Sequence, residues 1–151
     1  MKLQTITLKD KKIVETAEGF EVQFENESIY PLYLTHAALK RGHELGIIEG
    51  SLITDFIRVA SIAQRDLSQV DDYQLLSLVY LSFLGANPQT MLSFEEFAEK
   101  VHLTTYELAA IYMEEVMRVS ASEENKFAQG FKQATAKAEK KSKAQKYKKK
   151  T

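Results

Sequence analysis

The N-terminal residues alternate between apolar and polar side chains in a pattern typical of short strands. A first short strand is predicted over residues 3–8, and a polar turn follows it. Phe20, Val22 and Phe24 then alternate with glutamate or glutamine, and this period of two predicts a half-buried strand. Because an isolated hairpin is only marginally stable, we expect a small hairpin or three-stranded sheet packed on helices, with its strands within residues 1–25.

From Pro31 onward the spacing of apolar residues changes to that of α-helices. Pro31 suits a first helical turn, and Gly46 suits the end of that helix. A second helix is predicted to begin just after Gly50. The third, at residues 73–84, is apolar nearly all round, which is typical of a central core helix, and we expect Gly85 to end it. Its most buried side chains are predicted to be Leu76, Val79, Tyr80 and Phe83.

The next two helix starts have a capping-box sequence. Glu96 follows Ser93 by three residues, and Glu107 follows Thr104 by three residues. Each pair lies at the start of a stretch with apolar residues at helical spacing. In such a box the hydroxyl and the carboxylate accept hydrogen bonds from backbone N–H groups that the helix leaves unpaired. The sequence therefore predicts helices that begin after Ser93 and after Thr104.

These patterns together predict a mainly α protein: a compact bundle of about five to six helices with a small N-terminal β-hairpin or sheet and a flexible C-terminal tail. A last helix begins near Ser122, and no apolar stripe remains beyond about residue 138. We expect one domain over residues 1–138 and a disordered tail over residues 139–151, because a chain without an apolar face cannot offset its ordering entropy.

The charge of the chain changes sign near the same place. The net charge is −1, but residues 1–125 contain 10 Lys/Arg and 20 Asp/Glu, whereas residues 126–151 contain 10 lysines and one acid. The chain has no cysteine, which excludes disulfides, thiolate zinc sites and thiol nucleophiles. The first residues lack the apolar core of a signal peptide, and no stretch approaches the roughly 18 apolar residues of a spanning helix. We therefore expect a soluble, cytoplasmic protein.

Sequence motifs of catalysis and metal binding are missing. There is no phosphate loop, no G-x-S-x-G and no H-E-x-x-H. His36 and His43 lie seven residues apart, which is not the spacing of a helical zinc pair. Adjacent acids on a helix, such as Glu114 and Glu115, point in different directions and cannot hold a substrate together. We expect these two residues to lie on an exposed face. We expect no enzyme, no cofactor and no metal.

Residues 95–116 have the apolar spacing of a helix-turn-helix, with His102 at the turn. Reading DNA through such a motif requires basic or amide side chains that face bases and phosphates. The second helix instead offers residues such as Thr105 and Ala109, flanked by Glu107 and by further acids. A nucleic-acid-binding regulator is therefore the alternative rather than the leading interpretation.

Protein binding is the function class that remains. Aromatic or methionine side chains near the C-terminal helices are the candidate partner-binding residues: Phe127, Phe131, Tyr106, Tyr112 and Met113. The basic tail contains Lys140, Lys141, Lys143, Lys146, Lys148, Lys149 and Lys150. The residues leave three roles open for this tail: a solubilising segment, a nucleic-acid arm, or a point of attachment for a further segment.

The N-terminal β element, the stretch SIYPLYLTHAALKRGHELG, the acidic helical body and the terminal AEKKSKAQKYKKKT together resemble the tail assembly chaperones of long-tailed bacteriophages. The resemblance implies a non-enzymatic chaperone that binds the tail-tube protein and the tape-measure protein during tail morphogenesis in the host cytoplasm. It leaves self-association open. Many members of that family are also made in a longer form by a programmed frameshift. Lysine codons are rich in A, so the codons of residues 148–150 could form the slippery run that such a frameshift needs. The alternatives are a small helix-turn-helix-like nucleic-acid-binding regulator and a structural head–tail connector component.

Overall fold

A computed structural model of the chain describes residues 1–120 and, beyond them, positions 136 and 140. An antiparallel hairpin comes first and is followed by helices. The elements are β1 (Gln4–Thr16), β2 (Gly19–Leu32), α1 (His36–Glu44), α2 (Leu52–Arg65), a 3-10 turn (Leu67–Gln69), α3 (Asp72–Ala86), α4 (Phe94–Lys100) and α5 (Thr105–Ser120). Among the described residues, no helix combines the length and the apolar character needed to cross a bilayer.

The mainly α prediction is wrong, because the hairpin is a major part of a mixed α/β fold. Its strands have 13 and 14 residues, and β2 continues to Leu32 instead of ending within residues 1–25. Pro31 lies in β2, paired with Thr5, and not in the first turn of a helix. Each strand of a two-stranded sheet has an open edge, where a residue without an N–H is tolerated. The preceding Ile29 and Tyr30 are also residue types that favour strands.

An irregularity divides the hairpin into two parts. The pairing slips between Leu8 and Asp10, where β2 has an extra residue and Asn26 adopts a φ of 55°. Before this bulge, Ile6 and Leu8 are buried in the core. Beyond it, residues 10–25 form an arm whose second strand is exposed throughout. We call these residues the distal arm.

The core is built around α3, as its apolar sequence predicts. The Phe83 ring lies 5.4 Å from the ring of Tyr30 in β2 and 5.1 Å from that of Phe97 in α4, so one side chain joins three elements. Leu76 is only partly buried, and its predicted burial is wrong. Burial is confirmed for the other three residues predicted from the pattern: Val79, Tyr80 and Phe83.

Gly85 does not end α3, which continues to Ala86. The chain that leaves β2 crosses α3 here, and the Tyr33 N–H donates to the Ser82 carbonyl at 2.9 Å. A Cβ added to Gly85 would lie 2.0 Å from the carbonyl oxygen of Tyr33. Glycine is therefore required for the close approach of two backbones and not for a helix stop.

Both predicted helix starts are confirmed. The capping box is complete at Thr104, whose N–H donates to the Glu107 carboxylate at 3.2 Å, whereas the Glu96 carboxylate accepts from the Ser93 hydroxyl at 3.1 Å and not from a backbone N–H. The Ser93 hydroxyl accepts from the N–H of Glu96 at 3.2 Å, and the Thr104 hydroxyl accepts from the N–H of Glu107 at 3.2 Å. The helices that they start do not pack as a helix-turn-helix pair, however. Helix α4 packs mainly on β1 and α3, and α5 packs mainly on α3 and α2.

A buried carboxylate ties the base of the hairpin to α5. Glu115, predicted to be exposed, is 3% exposed. It accepts hydrogen bonds from the Leu34 N–H at 2.9 Å and from the Gln4 amide at 3.3 Å. Arg118 lies 3.6 Å from the same carboxylate and donates to the Leu34 carbonyl at 2.6 Å. Because its partners satisfy it, this buried charge fixes both ends of the hairpin on one helix.

The bulge has a second, partly buried attachment to the body. Lys100 of α4 donates to the carboxylate of Asp10, which also accepts from the Asn26 amide at 2.9 Å. The hydrogen bond from Lys100 is the main reason why the pKa of Asp10 lies below its ordinary value of 3.8. The same bond raises the pKa of Lys100 above 10.5.

We expect the Asp10–Lys100 pair to stabilise the fold in a pH window set by these shifts. A lowered carboxyl pKa contributes stability above pH 3.8, which is lost as the pH falls through the folded value. The raised amine pKa is fully effective below pH 10.5 and is lost as the pH rises through its folded value. Asp10→Asn should therefore melt at a lower temperature than the wild type at neutral pH, and at the same temperature in acid below the folded pKa. A difference between the two proteins that persists unchanged in acid would contradict this assignment.

Candidate partner-binding surfaces

The partner-binding residues predicted from the sequence are buried or partly buried where the structure describes them. Tyr112 is 2% exposed and Met113 is 4% exposed, so both predictions are wrong. Tyr106 is partly buried against the core. Phe127 and Phe131 lie outside the described residues.

The basic tail can be placed at one position only. Lys140 is exposed and has helical backbone. The other predicted tail residues lie outside the described part of the chain: Lys141, Lys143, Lys146, Lys148, Lys149 and Lys150. Their three open roles stay predictions.

The burial of Tyr112 follows from a signal that the sequence contained. The inward-facing residues of α5 recur at helical spacing and form one stripe: Leu108, Ala109, Tyr112, Met113 and Val116. The Tyr112 ring packs 6.1 Å from that of Phe56 in α2, and burial is the main cause of its raised pKa. Tyr112 lies on this buried face of α5 and is therefore a core residue, although aromatic residues are also common at protein interfaces.

One exposed apolar surface lies on the hairpin, where the sequence predicts a half-buried strand. Ile13 pairs with Val22 across the two strands, so both side chains lie on one face. Strand alternation places that face opposite Ile6 and Leu8, which point into the core. We call its exposed apolar residues the hairpin stripe: Ile13 (55% exposed), Phe20 (75%), Val22 (51%), Phe24 (48%) and Ile29 (67%).

The body anchors the stripe at Phe24. The ring of His102, between α4 and α5, lies 4.7 Å from the Phe24 ring, and the Lys9 ammonium lies 4.4 Å above it. His102 Nε2 is also 3.0 Å from the carbonyl oxygen of Lys9. These contacts fix the inner end of the distal arm, whose apolar face is then presented to solvent.

A second apolar surface is a shallow groove of about 550 Å³ between the end of α1, the start of α3 and the loop before α4. Its most exposed members are Met91 at 94%, Tyr73 at 57% and Leu45 at 55%. We call it the methionine groove and define it by its apolar lining: Leu45, Ile47, Tyr73, Met91 and Phe94.

The exposure of Met91 is imposed by the backbone on both sides of it. The Thr90 N–H donates to the Asn87 carbonyl at 3.1 Å, and the Leu92 N–H donates to the Thr90 hydroxyl at 3.2 Å. The buried Tyr80 hydroxyl donates to the Leu92 carbonyl at 2.8 Å. These hydrogen bonds fix the loop on both sides of Met91, and the Met91 side chain therefore points into solvent.

Aromatic rings form the floor of the groove. The Phe94 ring meets those of Tyr80 and Tyr73 edge-on, at 5.3 Å and 5.4 Å. Arg41 and Glu95 lie at the margins and provide one charge of each sign. A flexible, polarizable thioether on the lining of a groove that also contains aromatic rings suits the binding of apolar side chains of varied shape.

A third hollow, of about 420 Å³, lies between α2, α3 and α5. Its charged lining residues are Glu49, Asp55, Arg58 and Asp71, of which Asp55 and Arg58 pair with each other at 3.1 Å. Within the part of the chain that the structure describes, no three His, Asp or Glu side chains are grouped as metal ligands would be. This hollow is therefore a weaker candidate for a binding site than the hairpin stripe or the methionine groove.

No protein-family model, curated protein or solved structure matches this chain. Function is therefore inferred from the hairpin stripe and the methionine groove.

Proposed function

We propose that this protein is a non-enzymatic tail assembly chaperone that binds the tail-tube and tape-measure proteins of a long-tailed phage, in the cytoplasm of the bacterial host. The observation that supports the proposal best is the methionine groove. An almost fully exposed methionine held in place by its own loop is costly for solubility and is typical of a surface that binds other proteins.

The shape of the groove suits a client that has not yet assembled. It is open and shallow, so that an apolar segment can enter from the side. Met91 adjusts to side chains of different shape, whereas Phe94 and Tyr80 below it are held by packing. Such a surface binds moderately and releases its client when the client finds its final neighbours.

The scaffold around the groove is rigid enough to present it. Leu45 follows the last turn of α1, Tyr73 lies in the first turn of α3, and Phe94 is the first residue of α4. These helices pack on the central α3, so the groove keeps its form without a client. A pre-formed surface lowers the entropic cost of binding.

The proposal predicts that Met91→Lys weakens client binding by about tenfold or more, because a charge replaces the apolar centre of the interface. Binding of the purified full-length chain to the tail-tube and tape-measure proteins of the same phage is measured by calorimetry. Gln89→Lys is the matched control, since it adds the same charge two residues away, outside the groove lining. Neither variant should change the melting temperature.

Two results would contradict the role of the groove. One is wild-type client affinity in Met91→Lys. The other is loss of binding in Phe127→Ala/Phe131→Ala while Met91→Lys stays silent, which would move recognition to the C-terminal segment. Salt-sensitive retention of the protein on immobilised DNA, without binding of either client, would favour the nucleic-acid regulator instead.

A further inference from the structure

We propose that the hairpin stripe is a homodimer interface, in which the stripe of a second copy packs antiparallel on the first about a twofold axis. The stripe and the methionine groove share no residue, so this inference does not depend on the proposed function. It rests on the pattern of side chains along the distal arm, which is complementary to itself in one arrangement only.

Four of the five stripe residues are symmetric about the Ile13–Val22 pair, and Ile29, before the bulge, has no counterpart near the turn. On β2, Phe20 and Phe24 each lie two residues from Val22, or about 7 Å along the strand. In the proposed dimer, a twofold axis relates the two copies. The axis passes through the Ile13–Val22 pair, runs perpendicular to the strands and lies in the plane between the two contacting faces. It places Phe20 of each copy against the part of Phe24 that Lys9 and His102 leave exposed in the other copy, and the central pair against itself. Aromatic pairs of this kind add to the burial of apolar area.

The charges on the same face follow the same symmetry with opposite signs. In register, Lys11 lies opposite Phe24, and Glu15 lies opposite Phe20. Each is two residues from Ile13, on either side. The twofold axis therefore brings Lys11 of each copy to Glu15 of the other, so the dimer gains two ion pairs of complementary charge.

One chain cannot form this ion pair by itself. Lys11 and Glu15 are four residues apart on an extended strand, or about 13 Å. Among the described residues, the ion pairs involve Lys40, Arg58, Lys100 and Arg118 with their acids, and neither Lys11 nor Glu15 takes part. The two side chains are thus available to a second copy.

Charge complementarity also decides the direction of packing. An axis along the strands would place Lys11 against the partner's Phe24 and Glu15 against the partner's Phe20. That arrangement would cover a carboxylate with an apolar ring and leave it without a cation. The antiparallel arrangement avoids this cost, and it leaves the two helical bodies at opposite ends of the paired arms.

The opposite face of the arm is mainly polar. Lys12 lies opposite Gln23 and Asp10 opposite Glu25, and the apolar Val14 lies opposite Glu21. The interface is therefore one ribbon face, which is small for a stable dimer. We expect a dissociation constant in the micromolar range.

The test is sedimentation equilibrium of the full chain over a range of concentrations, with charge variants at the two positions. Lys11→Glu and Glu15→Lys should each weaken the dimer by about tenfold or more, because each creates two like-charge contacts. The double variant, Lys11→Glu with Glu15→Lys, restores opposite charges and should dimerise within about threefold of the wild type. Both sites are exposed, and circular dichroism should show an unchanged fold in all three variants.

Three results would overturn the inference: a wild-type monomer at all concentrations up to the millimolar range, a dimer indifferent to both single variants, or a double variant as weak as the singles. Met91→Lys should leave the dimer intact. A dimer with the expected charge pattern that binds no client would sink the proposed function alone, and client binding by a strictly monomeric protein would sink the dimer alone.

Discussion

Replacing Phe83 with alanine is expected to lower the free energy of unfolding by about 3–5 kcal/mol. The side chain is 1% exposed, and its ring contacts those of Tyr30, Tyr80 and Phe97. Its removal leaves a cavity where the hairpin, α3 and α4 meet, and the surrounding rings are too constrained by one another to fill it. Urea denaturation monitored by circular dichroism measures the loss.

The hairpin provides a matched control for this truncation. Phe20→Ala removes the same atoms from a side chain that is 75% exposed, so it should change the stability of the monomer by less than about 0.5 kcal/mol. The measurement is made at a concentration where the chain is monomeric. Equal stability of Phe83→Ala and the wild type would show that α3 is not the centre of the core.

Gly85→Ala should destabilise the protein by about 3 kcal/mol, although alanine is the better helix former. The added Cβ would lie 2.0 Å from the Tyr33 carbonyl oxygen and 3.1 Å from its carbonyl carbon, and these are backbone atoms that no side-chain rotation can move. The connection after β2 must then leave α3, which also breaks the hydrogen bond from the Tyr33 N–H to Ser82. The expected measurement is a lower urea midpoint with an unchanged slope.

Gly42→Ala distinguishes this clash from a general effect of adding a methyl group to a buried helical glycine. There the nearest atoms are Cδ1 and Cδ2 of Leu81, at 2.7 Å and 2.9 Å. They are the far end of a flexible side chain, and the gain in helix propensity partly offsets the cost of moving it. Gly42→Ala should therefore be clearly less destabilising than Gly85→Ala. If Gly42→Ala were instead the more destabilising variant, the Tyr33 backbone could not be packed tightly against α3.

The helix starts could be predicted because their cause is local. Ser93 with Glu96 and Thr104 with Glu107 form hydrogen bonds within four residues, so their positions in the sequence are sufficient. The central place of α3 could be predicted as well, because a helix that is apolar on all sides has to be surrounded.

Pro31 and Gly85 were misread because each residue type suits two different environments. A proline fits the first turn of a helix and also an open strand edge, and the choice depended on the pairing of Thr5 with it. A glycine ends many helices and also allows two backbones to touch, and the choice depended on where the chain after β2 crosses α3. Neither partner is near in sequence.

The candidate surfaces were missed for a related reason. The alternation of Phe20, Val22 and Phe24 shows that these side chains share a face, but periodicity does not show whether another element covers that face. The residue types of Tyr112 and Met113 suggest partner binding, but their helical spacing with Leu108 places them on the inward stripe of α5. Met91 carried no periodic signal, since it lies in a loop.

The sequence by itself determined the features whose interactions lie within one turn or one strand: the helix starts, the alternating strand after Gly19, and the apolar character of α3. Only the tertiary structure decided which apolar residues are covered, because burial depends on the sum of distant packing contacts. It left Phe20 and Met91 exposed and enclosed Tyr112. It also buried Glu115, whose partners Gln4 and Leu34 lie about a hundred residues away along the chain, at separations of 111 and 81. Hydrogen bonds over such distances have no local pattern, so the folded chain alone reveals them.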